Sequence, residues 1–203
     1  MHEEDSRPTR GRPRHPETDR QILNAALRLL GRDGYARMSL DAVAAEAGVT
    51  KPTIYRRYPS KTALAEAALA ALAAARDDSR PAMTGDLRQD VIAHLRHFRQ
   101  GVSRPYGVAL VGTVLAEEAE TPELLALYRE RIVAPRRTMV GRVLQDAQAR
   151  GELPQGMDID LMVNALVGAY YAQYLAGTPF PDDWEERLVE TVLGVAVTSS
   201  PSP

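Results

Sequence analysis

Apolar residues recur along most of this chain at spacings of three and four, the period of a helix with one face turned inward. The first such stretch carries Ile22, Ala25, Ala26, Leu29 and Leu30. It predicts a helix opened by Thr18 and Gln21 as a capping box and stopped by Gly34. Ser39 caps a second helix with Leu40, Val43, Ala44 and Ala47 inward, and Gly48 ends it. Thr50 is another cap only two residues later, and Pro52 falls where a first helical turn tolerates proline. This third helix is short, about 51–58, with Ile54 as its inward anchor. After Pro59, Ser60 caps a fourth helix whose apolar positions are Ala63, Leu64, Ala67, Ala68, Ala71 and Leu72.

Residues 79–85 (SRPAMTG) read as a linker. Asp86 then starts a fifth helix, to about Val102, with Leu87, Val91, Leu95 and Phe98 inward. Pro105 starts a sixth, PYGVALVGTVLAEEA, so apolar that it is expected in the middle of the body. Thr121-Pro122-Glu123 opens a seventh that runs to about Arg150, and Pro135 inside it should kink or split it. Asp158 caps an eighth, ending at Gly177, and Asp182 or Asp183 a ninth, with Trp184, Leu188, Val192 and Leu193 apolar. No stretch alternates with the period of a strand. The expected fold is all-α, with about nine helices: a flexible basic arm over 1–16, a three-helix head over 17–62, a helical bundle over 63–198 and a disordered tail over 199–203.

The second and third helices carry the candidate chemistry. A small residue, Ala44, lies four before Gly48, and Ile54 follows an apolar plug at Val49. That is the pattern of two helices crossing steeply through a short turn, a helix-turn-helix. The outer face of the third helix presents Lys51, Thr53, Tyr55, Arg56 and Arg57, which are donors for phosphates and base edges. On the pattern alone, a solvated basic helical hairpin is the competing reading.

Charge changes the picture in one respect. The chain is net −2, yet residues 1–62 hold 12 Lys and Arg against 8 Asp and Glu, and the remainder 13 against 19. A basic head on an acidic body orients the molecule toward phosphate. Arg10, Arg12 and Arg14 lie in an Arg-Gly-Arg-Pro segment that suits a narrow minor groove or serves as a solubilising tail. Lys61 begins the fourth helix, where a cation opposes the helix dipole unless a phosphate lies nearby.

Other classes lose support. The chain has no cysteine, so thiolate chemistry and disulfides are out. It has no apolar run long enough for a membrane span and no apolar leader, which reads as cytoplasmic. No nucleophile-base-acid arrangement or phosphate loop is present, so no enzymatic activity and no cofactor are expected. His94 and His97 stand three apart without a carboxylate at ligand spacing, so no metal site is expected. Glu185 and Glu186 read as solvated charge.

The segment GVTKPTIYRRYPSK, with an amphipathic helix before it and an Ala/Leu helix after it, resembles the DNA-binding domain of tetracycline-repressor-type (TetR family) regulators. The resemblance is strong over about residues 17–75 and architectural beyond. It implies groove-facing roles for Lys51, Pro52, Thr53 and Tyr55, and backbone contacts from Ser39, Thr50, Arg57 and Lys61. Tyr58 stands where the family usually has Phe or another apolar residue. The resemblance also implies a homodimer on a palindromic operator, paired through the last two helices, with Leu166, Gly168, Tyr171, Trp184, Leu188 and Val192 as candidates. It implies a repressor released by a small apolar effector bound among helices 4 to 8. Candidate lining residues are His94, Phe98, Tyr106, Val111, Leu115, Tyr128, Met139, Met162 and Tyr170, each of which also serves as ordinary core. An effector-independent DNA-binding protein or activator of the same fold is the alternative.

Overall fold

A proline, with φ already near the helical value, opens α1 (Pro16–Asp33), and Glu17 and Asp19 complement the dipole in its first turn. Thr18 therefore lies inside the helix and does not cap it. The inward face of Ile22, Ala25, Ala26, Leu29 and Leu30 is buried as expected, and Gly34 ends it at φ +83°. The computed structural model describes residues 16–104 and 107–198. The arm residues Arg10, Arg12 and Arg14, and Tyr106, lie outside the described residues.

The head is completed by α2 (Leu40–Ala47), α3 (Lys51–Arg57) and the start of α4 (Lys61–Asp77). Ser39 Oγ accepts from Ala42 N at 3.1 Å and Ser60 Oγ from Ala63 N at 3.0 Å, so both serine caps form. The body follows as α5 (Leu87–Val102), α6 (Gly107–Ala116), α7 (Pro122–Tyr128), α8 (Ala134–Ala149), α9 (Ile159–Leu175) and α10 (Trp184–Thr198). Asp86 and Asp158 cap α5 and α9 through Gln89 N and Leu161 N. Buried Asp90 holds the preceding linker by accepting from Thr84 N, Thr84 Oγ1 and Gly85 N at 2.7–2.9 Å. Burial pushes its carboxyl up, but these bonds outweigh it and hold the group below the usual carboxylate range.

Pro135 neither splits nor stops its helix. The chain stays helical from α7 into α8 through one π turn, Arg129–Val133, and Pro135 sits in the first turn of α8. A proline lacks the N–H and its ring excludes the carbonyl four residues back; the wider turn absorbs both. With α7 and α8 taken as one rod, nine helices and no strand are present among the described residues.

Two main cores result. The first joins α1–α4 to Leu110 and Val114 of α6, Leu124, Leu125 and Tyr128 of α7, and Ile132 of the π turn. The second lies among α5, α8, α9 and α10, with Val91, Leu95, Leu144, Val163, Leu166 and Val189 at its centre. A smaller aromatic cluster, Phe98, Tyr170, Tyr171, Phe180 and Trp184, flanks it. The placement of α6 differs from expectation. Only Gly107, Leu110 and Val114 are buried, and Leu115 is 54% exposed. The helix lies at the junction with the head, where Thr113 Oγ1 donates to Leu30 O at 3.0 Å and Glu117 accepts from Ala36 N at 3.1 Å. Apolar composition there serves two partners on one side and exposure on the other.

Glu185 is also corrected. It is fully buried and accepts both arms of Arg99, while Glu186 pairs with Arg96. These pairs clamp α5 to α10, and adjacent glutamates on one helix end up in different surroundings.

Candidate nucleic-acid interface

The short helix α3 has one buried residue, Ile54, at 0% exposure. Everything else on it is free to face a ligand or to brace the head. The turn before it depends on Gly48, whose φ of +67° is left-handed, a conformation a side chain would strain. The N–H of Val49 donates to Ala44 O at 3.0 Å and closes the turn. Thr50 is the cap by backbone position, yet its side chain makes no cap bond; its hydroxyl meets that of Thr53 at 2.9 Å. Pro52 has no N–H and Thr53 N donates to Thr50 O at 2.9 Å, so of the first turn only the Lys51 N–H is left for another acceptor.

Lys51, Pro52, Tyr55 and Arg56 are exposed, with Tyr55 at 53%, and Thr53 is half-buried. Ser39 and Thr50 are exposed beside them. The Lys51 ammonium does not stand alone: it donates to Asp41 Oδ2 at 2.7 Å. That bond holds the Asp41 carboxyl below its usual value and raises the lysine in turn.

Arg57 and Lys61 are occupied within the head. Arg57, its side chain 11% exposed, donates from Nε to Asp19 at 2.7 Å and pins the end of α3 to α1. Lys61 Nζ donates to Tyr35 O at 3.0 Å and lies 4.2 Å from the centre of the Tyr35 ring. These partners offset the dipole cost at the start of α4, so that cost is no argument for a phosphate. Arg28 joins Glu46 at 2.9 Å and ties α1 to α2. Tyr58 packs half-buried against the head core.

Several hollows open on the body, and two of them meet at α5, α8 and α9. The first, about 740 Å³ with its open mouth, runs between α4, α5 and α8 and is lined by Arg76, His94, His97, Phe98, Arg136, Met139 and Val167, among others. The second, about 730 Å³ on the same basis, is lined by Phe98, Val111, Leu115, Leu125, Tyr128 and Tyr171, among others. Phe98, Arg136 and Val167 border both. Burial, then nearby Tyr171, pushes the Tyr128 hydroxyl up to about 12. Of the expected lining residues, Met162 and Tyr170 instead pack in the cores. Arg76, His97 and Arg136 were not anticipated, since a lone arginine on a helix reads as surface.

The outer face of α9 is Leu161, Ala165, Gly168, Ala172 and Leu175, all exposed, with Leu161 at 64% and Leu175 at 82%. Leu166 belongs to the opposite column, Met162–Leu166–Tyr170, and is fully buried in its own chain. Tyr171 turns inward against Phe98, ring centres 5.9 Å apart. Trp184, Leu188 and Val192 are half-buried on α10.

Among the described residues, no helix is long and apolar enough to cross a membrane, and no three His, Cys, Asp or Glu come together in metal-binding geometry.

Residues 22–68 match the family model described as bacterial regulatory proteins, tetR family, and residues 81–192 that of the tetracyclin repressor-like C-terminal domain. An uncharacterized HTH-type transcriptional regulator of Mycobacterium tuberculosis is 32% identical over 197 residues, which cover 96% of this chain and 94% of that protein. The DNA-binding transcriptional repressor TetR of Mycobacteroides abscessus is 35% identical over 180 residues, covering 87% and 92%. Among solved structures, a TetR family transcription regulator with 29% identity superposes at a TM-score of 0.63, covering 88% of this chain and 97% of that one. With one family model on the head, another across the body, and relatives matched over more than nine tenths of their length, the chain belongs to the tetR family of transcriptional regulators, helix-turn-helix DNA-binding proteins rather than enzymes.

Proposed function

We propose that the chain works as a homodimeric repressor that binds a palindromic operator and is released by a small effector. The observation that carries this is α3: seven residues held by one buried anchor, with Lys51, Tyr55 and Arg56 exposed on the outer face and Thr53 half-buried among them. Lys51, Pro52, Thr53 and Tyr55 read base edges in the major groove. Ser39, Thr50, Arg56 and the Lys51 N–H hold phosphates. On binding, Lys51 exchanges Asp41 for DNA. Arg57 and Lys61 act through the head they brace.

The second copy is supported by the bare stripe on α9, where Gly168 permits close approach, together with the half-buried Trp184, Leu188 and Val192 of α10. Two such helices from each protomer form a four-helix bundle. The two α3 helices then meet successive major grooves roughly 34–36 Å apart. The repressor reading draws support from the relative in Mycobacteroides abscessus, which is named as one. The effector reading draws support from the void beside α4, the helix that leads out of the head. A ligand that favours a conformer with the heads differently spaced weakens binding, because both half-sites cannot be engaged together.

The test is selection of bound sites from random DNA, then a gel shift with Lys51→Ala and Tyr55→Ala. Both variants should lose preference for the selected site. Unchanged binding in both sinks the assignment of α3.

A further inference from the structure

Arginines drawn into a protein interior normally come with a carboxylate. Two in the α4–α5–α8 void do not. Arg76 reaches in from the last turn of α4 and Arg136 from α8, and both close on the same spot above Gly101 of α5. A methyl group placed on that glycine would lie 3.5 Å from Arg76 Nε and 3.7 Å from Arg136 Nη2. Arg76 Nη2 donates to Gly101 O at 3.2 Å. Arg76 Nε and Nη1 and Arg136 Nη2 are buried with no partner. His94, 5% exposed, adds a fourth such atom: its Nδ1 meets Asp90 O at 2.7 Å, and its Nε2 is buried and unpaired.

Nothing acidic answers this charge. Asp77 is the one carboxylate lining the void among the described residues, and it is paired with Arg80. Burial pulls the Arg76 pKa below the ordinary arginine value, and no Asp or Glu is among the groups that counter it. An arginine stays protonated regardless. Two like charges thus share a buried site, with free donors and an apolar wall of Leu95, Phe98, Met139, Val140 and Val167. Arg136 lies 5.1 Å over the Phe98 ring, which holds its guanidinium in place.

Resting on the effector reading above, we propose that this void takes an organic carboxylate, its head held between Arg76 and Arg136 and its apolar remainder laid against Phe98, Met139 and Val167. The three free guanidinium nitrogens match the lone-pair sites of one planar carboxylate. A phosphate monoester brings a third acceptor oxygen and most of a second negative charge, a larger and more strongly hydrated head than this apolar-walled site suits. The effector expected to be apolar thus acquires an anionic head. The arrangement also supplies a link to the reading head. Arg76 lies in the last turn of α4, whose Leu64 and Leu69 lie in the head core, and Arg136 stands on α8, which packs in the second core. An anion bound by both draws that end of α4 toward α8.

The test uses the full chain, with octanoate and benzoate each compared with its primary amide, and benzoate with phenyl phosphate, by calorimetry and thermal denaturation. A charge-assisted contact predicts that at least one acid binds about ten- to a hundred-fold tighter than its amide. Arg136→Gln and Arg76→Gln should each erase that preference in a protein that remains helical by circular dichroism; if either misfolds, the other and the wild-type comparison decide. Equal binding of acid and amide, no binding by either acid, or tighter binding of phenyl phosphate than benzoate overturns the proposal. A carboxylate that binds as expected yet leaves operator affinity unchanged supports this site and defeats the release mechanism instead.

Discussion

Replacing Ile54 with alanine tests how the reading helix is held. Ile54 is the sole buried residue of α3 and is fully enclosed in the core that also contains Leu30, Val43, Leu110 and Ile132. The substitution removes roughly three methylene equivalents at about 0.8 kcal/mol each, or about 2.4 kcal/mol. The hole left behind brings the loss to about 3–4 kcal/mol, inside the range for such truncations. For a chain of this size each kcal/mol lowers Tm by about 2–4 °C, so a fall of roughly 6–16 °C is expected. Far-UV circular dichroism reads all the helices, and the fluorescence of Trp184, the only tryptophan, reads the far side of the body. Because the head core continues into α6, α7 and the π turn, both signals should shift together at equal protein concentration. A head transition that falls while Trp184 stays put, or a Tm within about 2 °C of wild type, would refute the shared core.

Three further outcomes follow from particular contacts. Asp41→Asn frees Lys51 from its carboxylate, so affinity for the selected operator should rise in fluorescence anisotropy; unchanged or weaker binding counts against the exchange of Asp41 for DNA. Gly168→Arg sets a long charged side chain in the bare stripe of α9, so the proposed pairing predicts dimer for wild type and monomer for the variant in light scattering; a dimer that persists in the variant places the interface elsewhere. His97 is held below its ordinary 6.5, first by burial and then by the charges of His94, Arg76 and Arg104. The unfolded chain therefore binds more protons in the window below that value, and stability is lost as pH falls through it. His97→Gln should flatten that limb of a Tm-against-pH curve, and an identical limb in the variant dismisses His97 as its source.

Much of the head was legible because its signals are local. Ser39, Gly48, Pro52 and Ser60 act within a turn of where they stand, and the apolar spacing named Ile22 through Ile54 correctly as core. Composition misled at α6, where an apolar helix was expected at the centre and instead covers the flank of α1. Pro135 announced a disturbance, but only the backbone could show a π turn in place of a break. Arg57 and Lys61 fit a DNA-contact pattern by position, while Asp19 and Tyr35, distant in sequence, hold them inside the head. The Arg76–Arg136 pair was the least legible. Its members are far apart in the chain, and each taken singly is an ordinary solvated charge; only the approach of α4 to α8 over Gly101 makes them a pair.

The core that crosses from α1–α4 into α6, α7 and Ile132 bears on how such proteins can be recombined. Domain exchange between regulators assumes a clean seam after the helix-turn-helix. A transplant cut near residue 62 would carry α1 to a foreign flank and leave Leu110, Val114 and Leu124 facing side chains they did not evolve beside. The bonds from Thr113 to Leu30 and from Glu117 to Ala36 would be lost with them. The unit of inheritance for operator choice is thus larger than the segment that touches DNA: chimeras that keep α6 and α7 with their own head should express and respond, while those that separate them should be recovered poorly.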